Sequence, residues 1–170
     1  RGKQRGGRRG RKVGGGGGRK GEEGVARRPE DSGAYREYGF GGVGEPTIKL
    51  PVLLEVAREI KRRGGTTRIN TNGQANMIWK RDVTGELAAV IDKINVSLNE
   101  ATAQDYAALC RPAFGEAAFA GLQEFAKLCA EKGIDTWFSV VDVIGEEKIE
   151  ACRAIARACG VDLHVRADIG

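Results

Sequence analysis

The chain has 170 residues, one-domain length, with 28 Lys and Arg against 23 Asp and Glu and a formal charge of +5. No run approaches the roughly 18 apolar residues of a membrane span, and no apolar run follows the charged N-terminus as in a signal peptide. The charge is uneven: residues 1–33 carry +7 and residues 34–170 carry −2, so a basic surface for nucleic acid is confined to the first segment.

In chain order, residues 1–33 come first, with twelve glycines and no Phe, Tyr or Trp. This composition cannot build a core, and the segment is read as a disordered Arg/Gly-rich tail. Arg5-Gly6-Gly7 and Arg8-Arg9-Gly10 are similar to arginine–glycine RNA-binding segments. Without aromatic residues to stack on bases, only weak, salt-sensitive nucleic-acid binding is expected of them. The chain opens on Arg1 rather than Met and is expected to be trimmed or part of a longer product. A GC-rich stretch read in another frame is a second source for such a tail.

From residue 34 to 170 the pattern is regular. Strands are expected near 35–41, 67–72, 93–98, 135–142 and 161–166, and helices near 50–63, 84–91, 101–110, 116–132 and 146–159. On the first helix Leu50, Leu53, Leu54, Ala57 and Ile60 share one face, and Gly64-Gly65 stops it. Strand–helix alternation predicts an α/β domain with about five parallel strands joined by right-handed crossovers. Ile69, Ile94, Val96, Leu163 and Val165 alternate with Asn70, Asn95, Ser97, Asp162 and His164. Each strand therefore has one apolar face for helices and one polar face for a lumen. An ordinary (β/α) barrel fills its lumen with Val, Ile and Leu.

The loop from Gly39 to Thr47 joins the first expected strand to the first helix. Gly39, Gly41 and Gly44 spell G-x-G-x-x-G, a dinucleotide fingerprint. Glu45 stands where an anion would be repelled, Pro46 and Pro51 delay the helix, and Arg68–Asn72 lacks the acid that would hold a ribose. A dinucleotide-dependent oxidoreductase is therefore the weaker alternative. The cysteines, Cys110, Cys129, Cys152 and Cys159, form no C-x-x-C pair, so no zinc site is expected. Cys152 and Cys159 lie seven residues apart on one helix, too far for a disulfide. All four read as reduced thiols of a cytoplasmic protein.

Gly42-Val43-Gly44-Glu45-Pro46-Thr47 resembles the Gly-Gly-Glu-Pro motif of radical S-adenosylmethionine (radical SAM) enzymes. Ile69-Asn70-Thr71-Asn72-Gly73, Val96-Ser97-Leu98-Asn99, Cys110-Arg111-Pro112-Ala113-Phe114-Gly115 and Ser139–Val143 resemble the TatD-family-associated members of that superfamily. The resemblance spans Tyr35 to the end and implies a partial TIM-type (β/α) barrel with S-adenosylmethionine and a 4Fe-4S cluster as cofactors. It implies that Gly42, Gly44, Glu45 and Pro46 meet the methionine ammonium and that Asn72, Ser97 and Asn99 take the ribose and carboxylate. Arg111 or Arg166 would grip the carboxylate with paired hydrogen bonds; Arg111 equally suits a helix cap.

The three-cysteine C-x-x-x-C-x-x-C loop that holds the cluster in that superfamily is not in this sequence, nor is the strand before it. The expectation is thus a truncated barrel with most of a cofactor site and no cluster, inactive as it stands, on an unknown substrate. The alternative is a catalytically dead barrel acting as a binding module, with a basic tail for nucleic acid. Loss of the first strand would leave the strand at 35–41 with an open edge, which invites self-association.

Overall fold

In the computed structural model the described residues are the backbone of Val25–Arg27 and residues 36–170. Six strands, β1 (Val25–Arg27), β2 (Glu37–Phe40), β3 (Thr66–Thr71), β4 (Lys93–Ser97), β5 (Asp135–Val141) and β6 (Asp162–Arg166), form one open sheet in chain order. β2 to β6 are parallel, and β1 adds antiparallel to β2. Helices α1 (Leu50–Arg62), α2 (Ala75–Trp79), α3 (Thr84–Ala88), α4 (Ala103–Cys110), α5 (Ala117–Glu131) and α6 (Glu146–Cys159) occupy the connections. Five parallel strands with crossover helices make a partial TIM-type barrel.

The register puts like faces together. Ile69 stands beside Ile94 and Asn70 beside Asn95; Val96 pairs with Phe138 and Val140 with Val165. Ile69, Ile94, Val96, Phe138 and Val140 are fully buried in the core with Leu50, Leu53, Leu122 and Phe125 from the helices. The alternate residues, Arg68, Asn70, Asn95, Ser97, Ser139, Asp162 and His164, lie on the opposite, concave face. Apart from Trp137 and Val141 of β5 these positions are polar, which disfavours a covering helix layer on this face. Leu163 is packed only in part and Val165 is exposed, because β6 is the edge strand.

α1 ends as its sequence predicts. Lys61 and Arg62 lie in its last turn, and Gly64 follows with φ of 80°. Helix expected over 84–91 stops at Ala88, since the Val90 and Ile91 N–H groups both donate to the Leu87 carbonyl in a closing turn. α2, five residues long, is too short to leave a readable periodicity.

The first segment needs a correction. Instead of irregular chain throughout residues 1–33, Val25–Arg27 form β1, with Val25 opposite Phe40 and Arg27 opposite Gly39. The free backbone groups of β2 are a template for any adjacent extended segment, and Val25 is suited to a strand. The expected open edge is therefore occupied at these positions. The expected disorder elsewhere in the tail, and its nucleic-acid contact, fall outside the described residues. Among the described residues no helix is long and apolar enough to cross a membrane.

Candidate functional site

Parallel strands bring their C-terminal ends to one rim, where barrel active sites form. At the end of β2, Gly42 and Gly44 have φ of 116° and 92°, which side chains rarely tolerate. Glu45 is extended and caps the 3-10 turn Pro46–Lys49. Its Oε1 accepts from Thr47 N at 3.2 Å, Thr47 Oγ1 at 2.8 Å and Thr71 Oγ1 at 2.6 Å; its Oε2 accepts from Asn72 N at 2.7 Å. Glu45 thus fastens the glycine loop to the end of β3. The turn is held from its other side by Trp79, whose indole N–H donates to the Thr47 carbonyl at 2.7 Å. α1 begins only at Leu50, so no α-helix N-terminus sits on the glycines, and the arrangement does not favour a dinucleotide pyrophosphate.

At the end of β3, Asn72 Oδ1 accepts from Gln74 N at 3.0 Å, leaving its amide N–H groups as donors. Gly73 is left-handed (φ 76°), and a Cβ there would stand 2.8 Å from both Leu122 Cβ and Val96 Cγ1. The chain can turn over the core at this point only without a side chain. At the end of β4, Asn99 is also left-handed (φ 65°), a conformation asparagine tolerates. The Leu98 and Asn99 N–H groups both donate to the Ser139 carbonyl, at 3.0 and 3.3 Å. Asn99 Nδ2 points to Cys110 Sγ at 3.4 Å, which leaves Oδ1 as an acceptor.

These ends surround a groove of about 760 Å³ that includes Asn72, Ser97 and Asn99, with Ile48, Tyr106 and Phe114 among its apolar walls. Tyr106 is buried, and Gln74 Nε2 donates to its hydroxyl at 3.1 Å; burial pushes its pKa up, so it stays a neutral phenol. A second hollow of about 230 Å³ lies against the glycine loop, lined by Gly41, Val43, Gly44, Glu45 and Pro46, and it shares Ile48 with the groove. Of the residues expected for the cofactor, Gly44, Glu45, Pro46, Asn72, Ser97 and Asn99 fall into two adjoining hollows, with Gly42 exposed on the loop beside them.

The two arginines stand apart. Arg111 is the left-handed C-cap of α4, with its N–H on the Ala107 carbonyl and its side chain exposed; Arg166 ends the edge strand beside Val141. Neither lines the groove. Gln74 and Tyr106, which do, gave no motif in the sequence. Tyr106 lies on α4 between Asp105 and Ala107, and only the tertiary placement of α4 brings it to the groove.

The four cysteines are free thiols. Burial pushes Cys129 up to about 12 and Cys152 up to about 11. These two are core residues without thiolate character. Among the described residues no three His, Cys, Asp or Glu side chains converge as a metal site.

No protein-family model and no curated protein matches this sequence. A solved domain of pyruvate-formate lyase-activating enzyme from Bacteroides vulgatus is similar in fold. Its TM-score is 0.52, over 75% of this chain and 97% of that one, at 11% identity. At that identity the likeness is one of fold, and the fold is the partial barrel described above.

Proposed function

We propose that this chain is a radical SAM-type barrel core whose rim groove binds S-adenosylmethionine. The observation that carries the reading is the joining of two sequence-distant features at one rim: the braced Gly42–Pro46 loop and the polar groove of Asn72, Ser97 and Asn99. The fold shared with the pyruvate-formate lyase-activating enzyme domain supports the barrel part of this reading.

The residues present fit the cofactor's polar groups. The Asn72 amide N–H groups are donors for a carboxylate. The Asn99 Oδ1 and the Ser97 hydroxyl are partners for ribose hydroxyls. An ammonium would meet the loop carbonyls and the Glu45 Oε2, which has received one hydrogen bond against three at Oε1. Tyr106 and Phe114 supply apolar wall for an adenine.

A 4Fe-4S cluster does not fit the described residues. It needs three thiolates in one loop. Cys129 and Cys152 are buried in the helix layer, and Cys110 and Cys159 sit at the ends of different helices. On this reading the described residues would bind the cofactor without supplying the cluster that cleaves it.

The test is calorimetric titration of the chain with S-adenosylmethionine and S-adenosylhomocysteine. Saturable binding of the first, weakened about tenfold or more by Asn99→Ala, is the expected result, a loss of about 1.4 kcal/mol. Absence of saturable binding, or an undiminished affinity in Asn72→Ala, Ser97→Ala and Asn99→Ala, overturns the reading.

A further inference from the structure

Below the groove, the concave face holds a cluster that the cofactor reading leaves unused. Trp137 is 8% exposed although it stands on the polar side of β5, level with Asn95 and Asp162. The Arg68 guanidinium lies 4.9 Å from the centre of its ring, and the His164 imidazole stacks on it at 5.1 Å and 23°. Beside it, Asn95 Oδ1 and Ser139 Oγ are buried and have no hydrogen-bond partner among the described residues, with Asn95 5% and Ser139 1% exposed. Ser139 is in register with Ser97, which lines the groove.

A buried polar atom without a partner is costly, and two of them on the same face of adjacent strands mark a place where partners are expected from outside the chain. The chemistry of the surroundings narrows those partners. Trp137 offers a flat aromatic face. Arg68 has only Asn70 Oδ1 at 3.3 and 3.4 Å and no carboxylate among the described residues, so it is free to swing off the indole and take an anion in paired hydrogen bonds. Asn95 Oδ1 requires a donor, and the Ser139 hydroxyl takes either a donor or an acceptor. Asp135 and Asp162 lie on the same face, the former level with Lys93 and the latter on the edge strand.

We propose that the concave face beneath the groove is a subsite for a planar heteroaromatic carboxylate, held by Arg68, Asn95, Trp137, Ser139 and His164. The ring lies on Trp137 in the place Arg68 now covers, its N–H and carbonyl edge meets Asn95 and Ser139, and its carboxylate pairs with Arg68. The assignment of this ligand as a substrate, lying against the cofactor, rests on the function proposed above; the binding does not.

Orotate is the probe, with uracil (the ring without the carboxylate) and acetate (the carboxylate without the ring) as comparisons. The chain has two tryptophans, so ¹⁵N-labelled protein gives two indole N–H signals, and Trp79→Phe identifies them. Orotate should shift the Trp137 signal saturably and leave Trp79 in place. Uracil and acetate should bind at least tenfold more weakly. Arg68→Met should weaken orotate at least tenfold without changing the affinity for S-adenosylmethionine. Ser139→Ala should weaken orotate while raising the thermal midpoint by about 3 °C or more, because it removes a buried group with no partner. No saturable shift up to millimolar orotate, equal binding of uracil, or a Ser139→Ala midpoint at or below the parent's overturns the subsite. S-adenosylmethionine binding without orotate binding sinks this proposal alone; the reverse sinks the cofactor reading alone.

Discussion

Both carboxylate oxygens of Glu45 are engaged before any ligand arrives. Removing the side chain strands the Asn72 N–H and takes an acceptor from Thr47 and Thr71, each part-buried. Glu45→Ala should therefore cost about 2–4 kcal/mol in urea unfolding, more than an ordinary surface change. Glu45→Gln keeps the shape but replaces an acceptor with a donor that faces other donors, and should recover at most half of that loss. A cost under about 0.5 kcal/mol for the alanine variant would show that the loop is not braced in this way. From sequence, Glu45 reads as a ligand-facing acid at the mouth of a turn. Its partners, Thr71 and Asn72, lie 26 and 27 residues further on, and no local pattern connects them.

At the scale of elements, short helices depend on tethers. α3 has only five residues, too few to persist alone, and Asp82 anchors its start. Asp82 Oδ1 accepts from Thr84 N at 2.9 Å and from the Thr84 hydroxyl, and Lys132 after α5 reaches Oδ2 at 3.2 Å. The Thr84 hydrogen bonds, with help from Lys132, lower the carboxyl to about 2 from an ordinary value of 3.8. A lowered acid stabilises the fold only while ionised. The contribution is complete above about pH 4 and fades as the pH falls toward 2. Asp82→Asn should cost about 1 kcal/mol at pH 7, within the range of a lost cap. The difference from the parent should close progressively below pH 4 in thermal scans. A deficit unchanged between pH 7 and pH 2.5 would assign the effect to shape rather than charge.

At the scale of the whole molecule, the helix layer and the sheet bury one continuous core, and the thiols report on its closure. Cys129 on α5 and Cys152 on α6 are inaccessible, with pKa values pushed up by burial; Cys110 and Cys159 are half-buried at helix ends. Reaction with an aromatic disulfide at pH 8, mapped by mass spectrometry, should label Cys110 and Cys159 first. Cys129 and Cys152 should react only at the rate of unfolding. Early labelling of either would mean that α5 or α6 opens locally from the sheet.

Much of this architecture was legible one strand at a time. Alternation at period two in Ile69/Asn70, Ile94/Asn95 and Val96/Ser97 assigned a face to each residue, because side chains of a strand must point alternately to opposite sides. Glycines after α1, α5 and α6 ended helices where expected, since few other residues take a positive φ. These are local constraints, and a sequence carries them directly. Tertiary structure decided what depends on distant segments meeting: β1 pairing with β2, Glu45 bonding to β3, Tyr106 walling the groove, Arg111 and Arg166 standing outside it. Trp137 shows the difference most clearly. Nothing in β5 alone assigns it a face, and its register with Asn95 and Asp162 puts it on the polar face with Arg68 and His164. Register is a relation between strands, fixed by the packing of the whole sheet, and no single strand contains it.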